Sequence, residues 1–157
     1  MKLKIGDKAP NFILPDQDGQ VRSLVDYKGK WLLIYFYPKD ATPGCTVEGQ
    51  VIRDSWKEFQ KRKISVVGIS ADSVERHKKF SEKQEFPFLL LADEEQKTVK
   101  DYGVWGKKKF MGREFLGINR NSFLVGADGK IVKIYEKVKP KEHADEVLSD
   151  FAILQSQ

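Results

Sequence analysis

The hydrophobic pattern of the chain alternates between short apolar runs and stretches of helical spacing. Residues 31–37 form an almost unbroken apolar and aromatic run, as expected for a central strand covered on both faces. Residues 64–70 give a second, β-branched run, and residues 88–91 a third, shorter one. Between the first two, Val47, Val51, Ile52, Trp56 and Phe59 recur at helical spacing, which predicts a helix from Cys45 to about Arg62. Ala71-Asp72-Ser73 offers a cap for a second helix, carried by Val74, His77 and Phe80 until Phe86-Pro87 stops it. Asp93 offers another cap, for a short helix over about 94–102.

Ahead of these elements, Pro10 and Pro15 punctuate an extended segment, and Val21 to Leu24 predicts a small hairpin turning at Asp18-Gly19. Behind them, residues 103–117 read as a lysine-rich, glycine-punctuated segment whose Trp105, Phe110 and Phe115 either pin it to the core, the plainer reading, or line the entry to a site or dock a partner. Residues 121–125 and 130–137 predict a strand pair around Ala127-Asp128-Gly129. Pro140 opens a last helix with Ala144, Val147, Leu148, Phe151 and Leu154 on one face. The order predicts α/β layering around a mixed sheet, as one domain over residues 1–157.

Composition narrows the class. With 40% hydrophobic and 32% charged residues, the chain has the makeup of a globular protein and lacks any apolar run near the ~20 residues of a membrane span. The first seven residues lack the apolar centre of a secretory signal, so the expected location is cytoplasmic. The net charge of +5 is spread along the chain, with Lys107-Lys108-Lys109 as its densest point, so it reads as a solvated surface and not a nucleic-acid site. One cysteine allows no internal disulfide, and two histidines with it cannot build a cysteine/histidine metal cage.

That cysteine stands out for its place. Tyr37-Pro38-Lys39-Asp40-Ala41-Thr42-Pro43-Gly44 carries the chain from the apolar strand to Cys45, at the start of the next helix. Helix N-termini present N–H groups without internal partners and the positive end of the helix dipole. A thiolate is stabilised there relative to its thiol. The loop therefore reads as a device for one reactive sulfur.

The residues here resemble a known family. Pro38, Thr42 and Cys45 at this spacing match the peroxiredoxin signature. Tyr102-Gly103-Val104-Trp105-Gly106, then Phe115 to Val125 around Asn119-Arg120-Asn121, are similar to its peroxiredoxin Q (bacterioferritin comigratory protein) branch. Gly6 to Phe12 and the pair Arg53-Asp54 also fit. The resemblance implies a thioredoxin-like fold and thiol-dependent reduction of hydrogen peroxide and organic hydroperoxides. By position, Cys45 is the peroxidatic cysteine, Thr42 the hydroxyl that bonds the peroxide, Pro38 the shield against water and Arg120 the cation against the thiolate. Glu48 is the carboxylate that positions that arginine. The chemistry calls for no cofactor and no metal.

The chain departs from the branch at Gln50, where many members carry a resolving cysteine. The implied mechanism then uses one cysteine, with a sulfenic acid reduced by an external thiol: a thioredoxin, a glutaredoxin or a small-molecule thiol. Ser73 and Ser81 are the other places where a resolving cysteine can have been replaced. Slower external reduction also implies easier over-oxidation. No nucleic acid or membrane is an expected partner, and the expected state is a monomer or weak homodimer.

Other features have plainer readings. Arg53-Asp54 reads as a structural ion pair, and His77 and His143 as solvated helix residues. Two rival functions stand beside the peroxidase. A binding or holdase module needs an unreactive Cys45. A dithiol–disulfide oxidoreductase needs a second cysteine where Thr42 stands.

Overall fold

The computed structural model describes residues 2–157, the side chain of Phe110 excepted. The chain opens with an antiparallel hairpin of β1 (Ile13–Pro15) and β2 (Val21–Ser23). Its turn is built by Asp16, whose buried Oδ1 accepts the N–H groups of Asp18 and Gln20 at 2.8 and 3.0 Å. Gly19, at φ 80°, supplies the left-handed position. There follow β3 (Trp31–Phe36), α1 (Pro43–Asp54), α2 (Trp56–Lys61), β4 (Ile64–Ser70), α3 (Val74–Gln84), β5 (Leu89–Ala92) and α4 (Lys97–Asp101). The second half holds β6 (Trp105–Phe110), β7 (Arg113–Ile118), β8 (Ser122–Val125), β9 (Ile131–Tyr135) and α5 (His143–Gln155).

Five strands make the central sheet in the order β5-β4-β3-β8-β9. The pairs β3/β4 and β4/β5 are parallel, whereas β8 runs antiparallel to β3 and β9 antiparallel to β8. This is the mixed sheet the hydrophobic pattern predicts. β3 sits in the middle, and its period-2 geometry divides the apolar run between two cores. Leu33, Tyr35 and Tyr37 face the helices α1, α2, α3 and α5, packing with Ile52, Phe59, Phe80, Val147 and Phe151. Leu32, Ile34 and Phe36 face the other layer, with Phe12, Leu14, Val99, Tyr102 and Val104. An unbroken apolar strand is thus the signature of two buried faces.

Several elements differ from the pattern-based expectation. The helix expected over 45–62 is two helices, because Ser55 lies between them with its N–H shared by the Val51 and Ile52 carbonyls, both at 3.1 Å. Hydrophobic spacing continues across such a break and does not report it. The helix expected after Asp93 begins only at Lys97, although Asp93 does cap it: Oδ2 accepts the Val99 N–H at 2.8 Å. The last helix starts at His143, three residues after Pro140.

The segment over 103–117 is mostly a hairpin, β6 against β7, with Lys108 opposite Phe115. Met111 and Gly112, at φ 53° and 78°, make the two-residue left-handed turn that suits such a hairpin. Its apolar residues do not alternate, so the strand period was hidden. Trp105 packs against the core at the hairpin's base, while Phe115 is 47% exposed and pins nothing. The Phe110 side chain lies outside the described part. Lys107 and Lys109 are exposed as expected, but Lys108 turns inward and donates to the Ile118 carbonyl at 2.9 Å.

Neither histidine is solvated. His77 is fully buried, and His143 is buried against Tyr135, 2.8 Å from the Ser122 hydroxyl. Burial lowers the His143 pKa more than Glu146 raises it. Apart from Glu146 on the same helix, their polar neighbours come from distant strands and loops, which helix periodicity cannot reveal.

One contact gives a stability test. A Cβ on Gly49 would lie 2.3 Å from Phe86 Cζ, and that ring is held between Phe80 and Phe88. Alanine gains about 1 kcal/mol of helix propensity over glycine, but overpacking of this kind costs about 1–3 kcal/mol and can cost more. The overlap decides the sign. Gly49→Ala is expected to destabilise the protein by about 2 kcal/mol in urea unfolding. A variant as stable as the parent would show that the Phe86 ring moves aside freely.

Candidate active site

The site is assembled where β3 ends. After Phe36 the sheet stops, and Tyr37 to Thr42 form a loop that turns the chain into α1. Ala41 takes a left-handed φ of 64°, a strained choice for a residue with a Cβ. Thr42 is the N-cap residue in extended backbone, and Pro43 follows at the first helical position, where a missing N–H costs nothing. The Thr42 carbonyl accepts the N–H and the hydroxyl of Thr46, at 2.9 and 2.8 Å. Gly44 and Cys45 therefore fall in the first turn, where backbone N–H groups have no acceptor inside the helix. Cys45 is buried, with 2% of its surface exposed.

The cation comes from the far side of the sequence. Arg120 lies in the short loop between β7 and β8, fixed by its own carbonyl accepting the Val138 N–H at 2.9 Å. Its Nη2 donates to Cys45 Sγ at 3.4 Å, and its Nη1 to Glu48 Oε1 at 2.7 Å. Glu48 is one turn on from Cys45 in α1, so its side chain shares the helix face that holds the sulfur. The guanidinium also lies over Gly44: a Cβ there would meet Nη2 at 3.0 Å. Glycine at this position lets the cation reach the helix start.

The electrostatics follow from burial. Glu48 is pushed up to about 7, first by desolvation, with the charge and hydrogen bond of Arg120 pulling it down. Its Oε2 is buried without a hydrogen-bond partner among the described residues. Burial also disfavours the Arg120 cation, but Cys45 and Glu48 outweigh it and raise its pKa. Lys108, from β6, lies within the same field: burial and then Arg120 lower its pKa, while Cys45 raises it.

Of the residues singled out in the sequence, Cys45, Arg120 and Glu48 are brought into direct contact. Thr42 stands at the head of the same helix, with its hydroxyl proton given to the Lys39 carbonyl at 2.8 Å. Pro38 is half-buried at the start of the loop. Gln50 ties α1 to the end of α3, with Nε2 donating to Gln84 Oε1 at 2.9 Å, and Arg53 adds a bond to the Gln84 carbonyl at 2.7 Å. Arg53 also pairs with Asp54 at 3.0 Å, as a structural contact. Ser73 caps α3 by accepting the Arg76 N–H, and Ser81 is buried on that helix.

Sequence reasoning missed Asp40 and His77. Asp40 sits inside the loop, 3% exposed, and its carboxylate meets the Tyr37 hydroxyl and His77 Nδ1. Asp40, Asp72 and His77 lie close enough together to suggest a cation cage. Their oxygens are already engaged, Asp72 by Ser70, Arg76 and the Asp40 N–H. The group is an ion-pair network. An aspartate between Pro38 and Thr42 reads as a solvated loop residue until its burial is known.

Glu48 supplies a pH test. Between pH 4.5 and about 7 the native protein holds a proton that the unfolded chain has released, so stability falls as pH rises through that window. The variant Glu48→Gln removes the titration. The parent is expected to lose about 2–3 kcal/mol relative to the variant between pH 5 and pH 8, measured by urea unfolding at both. Parallel pH dependence in the two proteins would mean that Glu48 titrates in its ordinary range.

Comparison with known proteins places the chain. Residues 5–134 match the model of the AhpC/TSA family. Peroxiredoxin Bcp of Escherichia coli is 48% identical over 147 residues, 94% of each chain, and Peroxiredoxin Bcp of Bacillus subtilis is 46% identical over 148 residues, again 94% of each. Among solved structures, a mutant of Xylella fastidiosa PrxQ superposes with a TM-score of 0.93 at 34% identity over 99% of both chains. Xanthomonas campestris Peroxiredoxin Q gives 0.85 at 39% identity over 90% of both. The sheet and its flanking helices are thus the thioredoxin-like fold of these proteins. The chain belongs to the AhpC/TSA family, within its peroxiredoxin Q / Bcp branch.

Proposed function

We propose that this thiol peroxidase works through Cys45 as nucleophile, with Arg120 and Thr42 stabilising the transition state, Glu48 positioning Arg120, and Pro38 shaping the pocket. The observation that carries the reading is the Arg120 guanidinium, 3.4 Å from the Cys45 sulfur and anchored to a buried Glu48. An anionic sulfur is matched there by a fixed cation and by the first-turn N–H groups of α1.

The thiolate attacks one peroxide oxygen, and the O–O bond breaks as the S–O bond forms. Sulfur loses two electrons and becomes a sulfenic acid. The leaving oxygen carries off the electron pair and takes a proton to become water or an alcohol. Negative charge builds on that oxygen, so donors already in place lower the barrier. Arg120 and the N–H groups of Gly44 and Cys45 are such donors. The Thr42 hydroxyl, whose own proton is given to Lys39, offers lone pairs to the O–H of the peroxide. Arginine suits the role because it stays charged and presents several donors in one plane.

Cys45 is the one cysteine of the chain, so the sulfenic acid meets no internal thiol. An external thiol condenses with it, releasing water and leaving a mixed disulfide. A second thiol then exchanges with that disulfide, freeing Cys45 and carrying the oxidising equivalents away. The reductants this fits are a thioredoxin, a glutaredoxin or a small-molecule thiol. Among the described residues, no helix is long and apolar enough to cross a membrane.

The test is stopped-flow oxidation of reduced protein by one equivalent of hydrogen peroxide, with intact mass on the same samples. The expected result is rapid thiol loss with one added oxygen, absent in Cys45→Ser. Arg120→Ala is expected to slow the step more than tenfold, a barrier increase of more than about 1.4 kcal/mol. Oxidation of the parent no faster than that of a free thiol would return the chain to the binding-module reading.

A further inference from the structure

The loop that delivers Cys45 is fastened by a buried group that the peroxidase reading does not use. Asp40 Oδ1 accepts the Tyr37 hydroxyl, Asp40 Oδ2 lies 2.6 Å from His77 Nδ1, and the Asp40 N–H donates to Asp72 Oδ2 at 2.9 Å. On the other side of the ring, His77 Nε2 lies 2.9 Å from the Leu91 carbonyl. A carbonyl only accepts, so Nε2 carries a proton. The 2.6 Å contact between Nδ1 and a carboxylate oxygen then needs a proton of its own, because two lone pairs repel at that distance. His77 and Asp40 therefore share one proton between them, and as a pair they are neutral. Asp72, the second carboxylate, is matched by Arg76 Nε at 2.9 Å.

Two carboxylates and one guanidinium are the charged groups in hydrogen-bond contact with this network, and Lys79 and Lys83 line the cavity beside Asp40 and Arg76. The loop brings Tyr37 and Asp40, and the β4–α3 connection with α3 brings Asp72 and Arg76. β5 brings the Leu91 carbonyl. Burial first, then Asp40, hold the Tyr37 hydroxyl protonated well above its usual range.

The fastening sits where the loop needs it. Ala41, the next residue, is in the strained left-handed region, and such a residue persists only where its surroundings over-determine it. Thr42 and Cys45 follow directly.

We propose that His77 is a positioning residue for the reactive thiol: the proton it shares with Asp40 holds the 38–42 loop, and so Thr42 and Cys45, in the arrangement that meets the peroxide. This rests on the peroxidase reading above.

His77→Leu leaves a buried carboxylate with no counter-charge, and a carboxylate in that state moves toward water and takes the loop with it. Asp40→Asn is the informative partner. Its amide can donate to Nδ1 of a neutral His77 and accept from Tyr37, so every hydrogen bond survives while the shared proton is gone. The experiment is stopped-flow peroxide oxidation of Cys45 across pH, with thermal melting to establish folding and proton NMR of isotope-labelled histidine to follow the shared proton.

In folded His77→Leu the oxidation rate at neutral pH is expected to fall at least about tenfold, and the double variant Asp40→Asn/His77→Leu to recover part of it, as neutralising both partners removes the buried charge. The parent is expected to lose rate at the alkaline pH where a far-downfield histidine proton resonance disappears. Asp40→Asn is expected to lack both the resonance and that alkaline loss. A folded His77→Leu within twofold of the parent overturns the proposal. So do superimposable pH profiles of the parent and Asp40→Asn, a comparison that decides the matter alone if His77→Leu fails to fold. A fast parent with a fast His77→Leu overturns only this inference, whereas a parent no faster than a free thiol overturns the peroxidase reading and this one together.

Discussion

A guanidinium held between a thiol and a buried carboxylate sets the demands that the surrounding structure meets. Arg120 must be brought close to a helix start, yet its own pKa shows burial working against the charge. The compensation comes from two residues one helical turn apart, Cys45 and Glu48, which present a sulfur and an oxygen on one face of α1. Gly44 leaves room for the cation to approach, and the Val138 N–H fixes the loop from which it reaches. The unpartnered Glu48 Oε2 and the raised Glu48 pKa show that the carboxylate is held there at a cost to stability. A buried carboxylate whose pKa is raised by desolvation beside a specific cation is the pattern that marks a candidate functional site.

The sheet makes this possible through β3. Buried on both faces, it contributes to both cores, and the loop leaving its end is referenced to both at once. Tyr35 and Tyr37 point into the helical layer that contains Cys45, and the Tyr37 hydroxyl continues into the Asp40–His77 network. The rigid strand, the polar network and the first turn of α1 thus form one continuous support. The loop between them carries the strained Ala41 because both of its ends are fixed.

The absence of a second cysteine has a structural counterpart. Gln50 is engaged with Gln84, and Arg53 with the Gln84 carbonyl, so the face of α1 that carries these residues is tied to the end of α3 by amide and guanidinium hydrogen bonds. On the side of Cys45 and Arg120, Lys108 adds a further positive group. The hairpin of β6 and β7 contributes that lysine and carries the exposed Met111, Phe115 and Leu116.

What the sequence determined by itself was local or contiguous. The apolar run of β3, the proline and glycine punctuation of the loop, the cap at Ser73 and the turn at Asp16 to Gly19 are all written in neighbouring residues, and the structure carries them as expected. Cys45 at a helix start was legible for the same reason. Arg120 was not legible from spacing, since 75 residues separate it from the sulfur, and only a family resemblance pointed to it. Tertiary structure alone decided the rest. It broke the expected helix at Ser55, turned a lysine-rich segment into a hairpin, and buried His77 and His143 against partners from other elements. A histidine on a helix is polar by its letter, and whether it meets water or a carboxylate depends on which distant loop folds over it.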